Sequence, residues 1–472
     1  MTTHVQVQEP SSTEEGPLLR KKARFSLIDI VVLLVMGALL YYGANWEMFR
    51  TNSDVARYQC YAVSFWQGLS ALKTLPEDQC AFITHPSADL TVVSQGVLLS
   101  KMRQSGLPDG LIRFVSAQSP SQPFHALPNE YPGLAMLFFS LGLIVPANWY
   151  QIAFAVWMAL IAGVVYLILL RWCSRGAAIA CAFYLVVGGW ATVVARFDIV
   201  PSALTLLAVI CADRKRWGWA FSCLALATLC KIYPIILLPP FFLALQMDMK
   251  GNWFVWRRWK PLGTFLLVCI VVMGISFLFS AVGTIAPLNY FSYRPVQVES
   301  LAASILWLLH LLGINPVSYV HTFGSLNVNS AFSSSVSLLM TVLLGVGLLY
   351  TYWLQLRSKI NLATAALLSL LIMMTTSKVF SPQYLIWVVP LVAYIGRKNV
   401  WYLLVWGLIG LLTTWIYPYI YHMASLLSVP DVLLFYPVVT LRNMLLVGFI
   451  LFLLIAATRN HIPSVKDVSE SF

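Results

Sequence analysis

Uninterrupted apolar runs constrain this chain more than any other feature. Residues 31–42 read VVLLVMGALLYY and residues 266–279 read LLVCIVVMGISFLF, with no charge in either. Strands of an outer-membrane barrel alternate in polarity, so continuous runs of this kind call for helices, which satisfy their own backbone hydrogen bonds in lipid. Charged residues make up 10% of the 472-residue chain and hydrophobic residues 59%, against a charged share of about 25% in soluble domains. The fold class is therefore an all-α polytopic membrane protein. With about 20 residues per crossing, the apolar mass supplies roughly a dozen crossings and no large soluble domain. The net charge of +12 fits cytoplasmic loop bias and anionic lipid; no nucleic-acid partner is called for.

The apolar segments fall at 26–45, 149–170, 177–195, 199–213, 217–230, 233–247, 262–281, 332–355, 361–376, 382–396, 400–418 and 438–457. Lys and Arg cluster before Ser26, at Arg171 and Arg175, at 214–216, from Lys250 to Lys260, at Arg357 and Lys359, at Arg397 and Lys398, and at Arg459. A cytoplasmic N-terminus puts every cluster inside, provided that the apolar stretch 131–148 makes no net crossing. The organisation expected is a polar and basic cytoplasmic tail at 1–25, a membrane domain at 26–457 with external loops at 46–127 and 283–331, and a cytoplasmic tail at 458–472. Both termini then lie in the cytoplasm of a cell bounded by the plasma membrane, and the N-terminal tail lacks the pattern of a cleaved signal. Of the eight cysteines, six fall in or beside apolar segments and read as core residues. Cys60 and Cys80 share the first external loop, and spacing alone leaves their pairing open.

Polar residues on the external side carry the functional signal. Val55, Tyr58, Tyr61, Ala62, Phe65 and Leu69 recur as on one face of an amphipathic helix, expected to lie on the membrane surface with Asp54 as its N-cap. Asp54 reads either as that cap or as a carboxylate held at the surface to act as a general base. Arg196 and Asp198 sit at a helix–helix turn, as an ion pair or as a ligand site. Lys231, Lys378 and Arg442 sit against helix ends on the side where basic residues are scarce, either snorkelling or gathering an anionic head group.

These residues carry a resemblance. The run RFDIVPSALTLLAVICADRKRWGWAFSCLALATLCKIYPIILLPP, the segment NEYPGLAMLFF and the helix start FSPQYLIWVVPL are similar to blocks of the polyprenyl-phosphate-dependent glycosyltransferases of family 87, membrane mannosyltransferases of GT-C fold. Asp54 matches the external-loop Asp of GT-C enzymes. The likeness runs from the first helix to about Pro390, and the stretch 82–124 is longer than the family's loop. It implies a GT-C-type bundle with amphipathic surface helices on the external side. It also implies a transferase moving a sugar, mannose by likeness, from a polyprenyl-phosphate donor to a glycolipid or polysaccharide hydroxyl at the external face, with inversion.

On that reading Asp54 deprotonates the acceptor while Lys231, Lys378 and Arg196 neutralise the departing phosphate. Asp198 and Glu130 are alternative bases or sugar ligands. His125 and Tyr131 line the acceptor path, and Gln383 and Arg442 complete the substrate-binding set. No cofactor is implied beyond the donor as co-substrate, and no metal ligand set is assigned, since the sequence holds no DxD. The competing class is a transporter or flippase for an anionic glycolipid, against which stands the lack of related halves; a structural scaffold fits the asymmetric charge poorly.

Overall fold

The structure is a computed structural model that describes residues 24–76, 78–85, 93–249, 251–252 and 254–459. Lys250, the polar tail up to residue 23 and the residues from 460 onward lie outside the described residues.

All twelve expected apolar segments are helical. Among the described residues, six helices are long and apolar enough to cross a membrane: Leu27–Ala44, Ala147–Trp172, Trp256–Phe279, Ser333–Leu356, Val400–His422 and Phe435–Arg459. They turn apolar side chains outward, Leu267 and Ile270 being 61% and 68% exposed, as lipid-facing helices do. The other six are shorter: Arg175–Gly189, Ile199–Asp213, Trp217–Cys230, Tyr233–Asp248, Leu362–Thr376 and Tyr384–Gly396. The last two are almost wholly buried and apolar all round, as befits the centre of a bundle. At about 1.5 Å per residue these helices span little more than half the reach of the long ones. Buried irregular segments complete the path, which lipid forbids and a protein interior allows.

Contacts between helix ends define two poles. At one, Arg175 bonds Asp29 at 3.1 Å and the Arg24 carbonyl at 2.7 Å, Arg214 reaches the Trp172 carbonyl, and Lys215 pairs with Asp248. Several of the basic clusters thus converge. At the opposite pole lies the helix Asp54–Gln67. The stretch 131–148 starts and ends against it: Glu130 bonds Arg57 and Tyr61, and the Ala147 carbonyl accepts from Gln59 at 2.7 Å. Between them come only the short helix Ala135–Ser140 and a 3-10 turn, Leu141–Ile144. Both ends of the stretch therefore lie at the same pole.

Two expectations for the 54–67 helix are corrected. Ser53 is the N-cap, its Oγ accepting from the Ala56 amide at 3.2 Å, and Asp54 is the first helical residue. Its apolar face meets protein instead of lipid: Tyr58 stacks on Phe139 with ring centres 4.3 Å apart and also touches Phe154 and Phe197. Cys60 and Cys80 form a disulfide that ties this helix to the segment after it.

The region expected as the loop 283–331 is folded. It holds the helix Leu301–Leu311 and a three-stranded antiparallel sheet of β1 (Val296–Gln297), β2 (Ser318–Thr322) and β3 (Ser325–Asn329), ordered β1-β3-β2. Thr322 pairs with Ser325, so β2 and β3 join through two residues, Phe323 and Gly324, both at positive φ. That is the primed geometry that a tight hairpin needs.

Candidate functional site

A cavity of about 760 Å³ opens at the pole that carries the 54–67 helix. The helices that stop short bring polar residues to its wall: Arg196 from the turn after Arg175–Gly189, Lys231 from the end of Trp217–Cys230, and Gln383 from just before Tyr384–Gly396. Asp54, Glu130 and Tyr131 come from the segments above the bundle. Six of the ten sequence-predicted site residues therefore meet in one chamber.

Three ion-pair systems hold the wall. Arg196 reaches Asp54 Oδ2 at 2.5 Å and Glu47 Oε1 at 3.2 Å, and burial pushes the Glu47 carboxyl above its ordinary range despite this cation. Lys231 donates to Asp198 Oδ1 at 2.6 Å, which also accepts from Trp387 Nε1. Rings of Tyr131, Phe197, Tyr384 and Trp387 stand 5.2 to 5.9 Å from the ammonium, close enough for cation–π attraction. Arg57 and the Tyr61 hydroxyl both bond Glu130 Oε1, at 2.7 and 2.8 Å, while the Tyr290 hydroxyl lies 3.4 Å from Oε2.

Four predicted residues lie off this wall. Asp198 is 1% exposed and sits behind Lys231. Lys378 donates to the Ser292 carbonyl at 2.9 Å, and its own carbonyl accepts from the Gln297 amide; it braces the approach to β1. Arg442 is fully buried, bonding Glu299 Oε2 at 3.2 Å and the Glu299 carbonyl at 2.6 Å beneath the Phe380 ring. Glu299 then faces the cavity in its place. His125 bonds the Phe279 carbonyl and lines a separate cavity of about 260 Å³, which shares Arg57, Phe82, Glu130 and Tyr290 with the large one.

Sequence reasoning missed Glu47, Tyr290, Arg294, the tip of the β2–β3 hairpin and the pair Tyr417 and Tyr421, all of which line the chamber. Glu47 was findable, as an acid directly after the first helix. The hairpin had its Phe-Gly turn as a signal, but its strands are short and of mixed polarity. Among the described residues no group of three or more His, Cys, Asp and Glu side chains is placed to hold a metal ion. The geometry suits binding an anionic, polyhydroxylated head group, and the lining carboxylates that reach solvent are Asp54, Asp78 and Glu130 among the described residues.

The family model of the GPI transamidase subunit PIG-U matches residues 177–295, about a quarter of the chain. The matched stretch contributes Arg196, Lys231, Tyr290 and Arg294 to the cavity, and Asp198 behind it. No curated protein matches the chain.

Proposed function

We propose that this polytopic membrane protein is a GT-C-type glycosyltransferase that takes a hexose, mannose by resemblance, from a polyprenyl-phosphate donor. The acceptor is a hydroxyl of a glycolipid or polysaccharide. The observation that carries the reading is the convergence of Asp54, Arg196, Lys231, Glu130 and Gln383 on one chamber at the ends of apolar helices. There a polyprenyl tail can stay in lipid while its sugar phosphate enters. Arg196 occupies one oxygen of Asp54 and fixes the carboxylate, leaving the other oxygen for the acceptor proton. The freed hydroxyl attacks the anomeric carbon, the phosphate leaves among the cations, and one displacement inverts the centre.

The cavity pole belongs on the non-cytoplasmic side of the membrane. Basic clusters gather at the other pole, as cytoplasmic loops do, and the Cys60–Cys80 disulfide suits an oxidising compartment.

A second reading follows from the matched family model: a non-catalytic subunit of a membrane complex that holds a glycolipid for a partner enzyme. It is favoured by the mutual satisfaction of the wall's ion pairs, which serves binding as well as catalysis. Incubating the purified protein in detergent with a panel of polyprenyl-phosphate sugars and glycolipid acceptors, followed by mass spectrometry, separates the readings. A new glycosylated product without a sealed membrane supports the transferase and excludes a transporter. Retention of a glycolipid with no turnover across the panel favours the subunit.

A further inference from the structure

Among the described residues, four Arg and Lys side chains line the large cavity: Arg57, Arg196, Lys231 and Arg294. The first three are neutralised by Glu130, by Asp54 with Glu47, and by Asp198. An anion that approached any of these would meet a carboxylate already in place. Arg294 differs: among the described residues no carboxylate lies within salt-bridge distance of it. Its Nη2 donates to Ser325 Oγ at 2.8 Å, its guanidinium stands 5.7 Å from the Tyr290 ring, and its buried Nε has no partner. Of five donors in a planar fork, one is committed.

Lys378 stands next to it. The lysine bonds the carbonyl of Ser292, two residues before Arg294, and among the described residues it too has no carboxylate within salt-bridge distance. Burial, followed by the charge of Arg294, lowers the Lys378 ammonium below its ordinary value, so the two cations feel each other. Arg294 lines the cavity and Lys378 lies off its wall beside it, and holding like charges together there costs free energy that a bound anion relieves.

We infer that Arg294, backed by Lys378, holds a phosphate oxygen of an amphipathic ligand whose head group enters the large cavity. The guanidinium fork fits two phosphate oxygens at once, and the hairpin tip that carries Ser325 sets its direction. The inference deepens the functional reading above and rests on it for the membrane-borne source of the phosphate. It shifts the phosphate contact expected of Lys231 to a residue with no competing carboxylate. A polyprenyl phosphate and a phospholipid head group both supply this chemistry.

The full-length protein in detergent is titrated with polyprenyl monophosphate, uncharged polyprenol of equal length, and phosphatidylinositol, with binding followed by tryptophan fluorescence. Wild type is expected to prefer the phosphorylated polyprenol. Arg294→Gln is expected to cut that preference by about 30-fold, the range of a charge-assisted pair, while Arg294→Lys, keeping the charge without the fork, cuts it by less than the Gln variant. Thermal midpoints confirm that both variants fold; if Arg294→Gln does not, folded Arg294→Lys carries the test, a preference below that of wild type supporting the site and an undiminished one overturning it. Tight phosphatidylinositol binding that depends on Arg294, with no preference for polyprenyl phosphate, supports the site and removes the transferase reading. An undiminished preference in folded Arg294→Gln overturns the site and leaves the transferase reading standing. Equal affinity of wild type for charged and uncharged ligands overturns both.

Discussion

Asp54 and Arg196 meet at 2.5 Å, and neighbouring positions in the chain can be separated by what each touches. Ser53 caps the 54–67 helix and is not among the residues lining the cavity, so Ser53→Ala should lower stability by about 1 kcal/mol and leave turnover intact, read by thermal unfolding beside an activity assay. Asp54→Asn keeps the shape and one hydrogen bond to Arg196 but loses basicity. Turnover should fall by about 100-fold or more with donor affinity retained, and near wild-type kcat would remove Asp54 as the base. The buried pair Lys231 and Asp198, 9% and 1% exposed in their side chains, behaves differently. Removing one partner strands a buried charge at a cost of about 3–5 kcal/mol. Lys231→Met with Asp198→Asn should therefore be less destabilised than Lys231→Met alone, as a denaturation cycle will show. None of these pairings was legible in the chain, because Asp54 and Arg196 lie far apart in sequence and both Ser and Asp are good caps. The residue types were legible, since charge at the end of an apolar helix is rare enough to mark a site.

At the scale of elements, the β2–β3 hairpin sets the cavity's shape from outside the membrane helices. Gly324 holds φ at +63°, and a Cβ there would fall 2.9 Å from Arg57 Nη1. Gly324→Ala should cost about 1–2 kcal/mol for the left-handed backbone and displace Arg57 from Glu130. Lowered thermal stability together with a raised acceptor KM is the expected result; unchanged values would mean that the tip does not bear on the wall. The twelve apolar helices, six long and six short, were readable because lipid demands continuous runs. The hairpin was not, because strands of two and five residues leave no pattern that survives among loop residues. The 54–67 helix was readable as amphipathic, but periodicity names an apolar face without naming what covers it, and Phe139, Phe154 and Phe197 arrive from later in the chain.

For the molecule as a whole, polarity between the two poles governs which compartment the cavity serves. Ser121, exposed on the cavity side, and Ser358, exposed in the turn between 333–356 and 362–376, report on opposite faces. In intact cells a membrane-impermeant maleimide should label Ser121→Cys and spare Ser358→Cys; the reverse pattern would turn the cavity toward the cytoplasm. The alternation of basic clusters made their gathering at one pole legible. The depth of the site was not, since it comes from six helices that end early and leave buried turns to finish the path. The bond between Cys60 and Cys80 adds an order of events to this geometry. Chains emerge from the ribosome N-terminal end first, so both thiols are delivered before Arg196, Lys231 or Arg294 exist. The Asp54 arm can thus be stapled while most of the bundle is still unmade, and later helices dock against a prefabricated edge. Biogenesis would then proceed as templating, with the earliest-finished piece dictating where each later cation comes to rest.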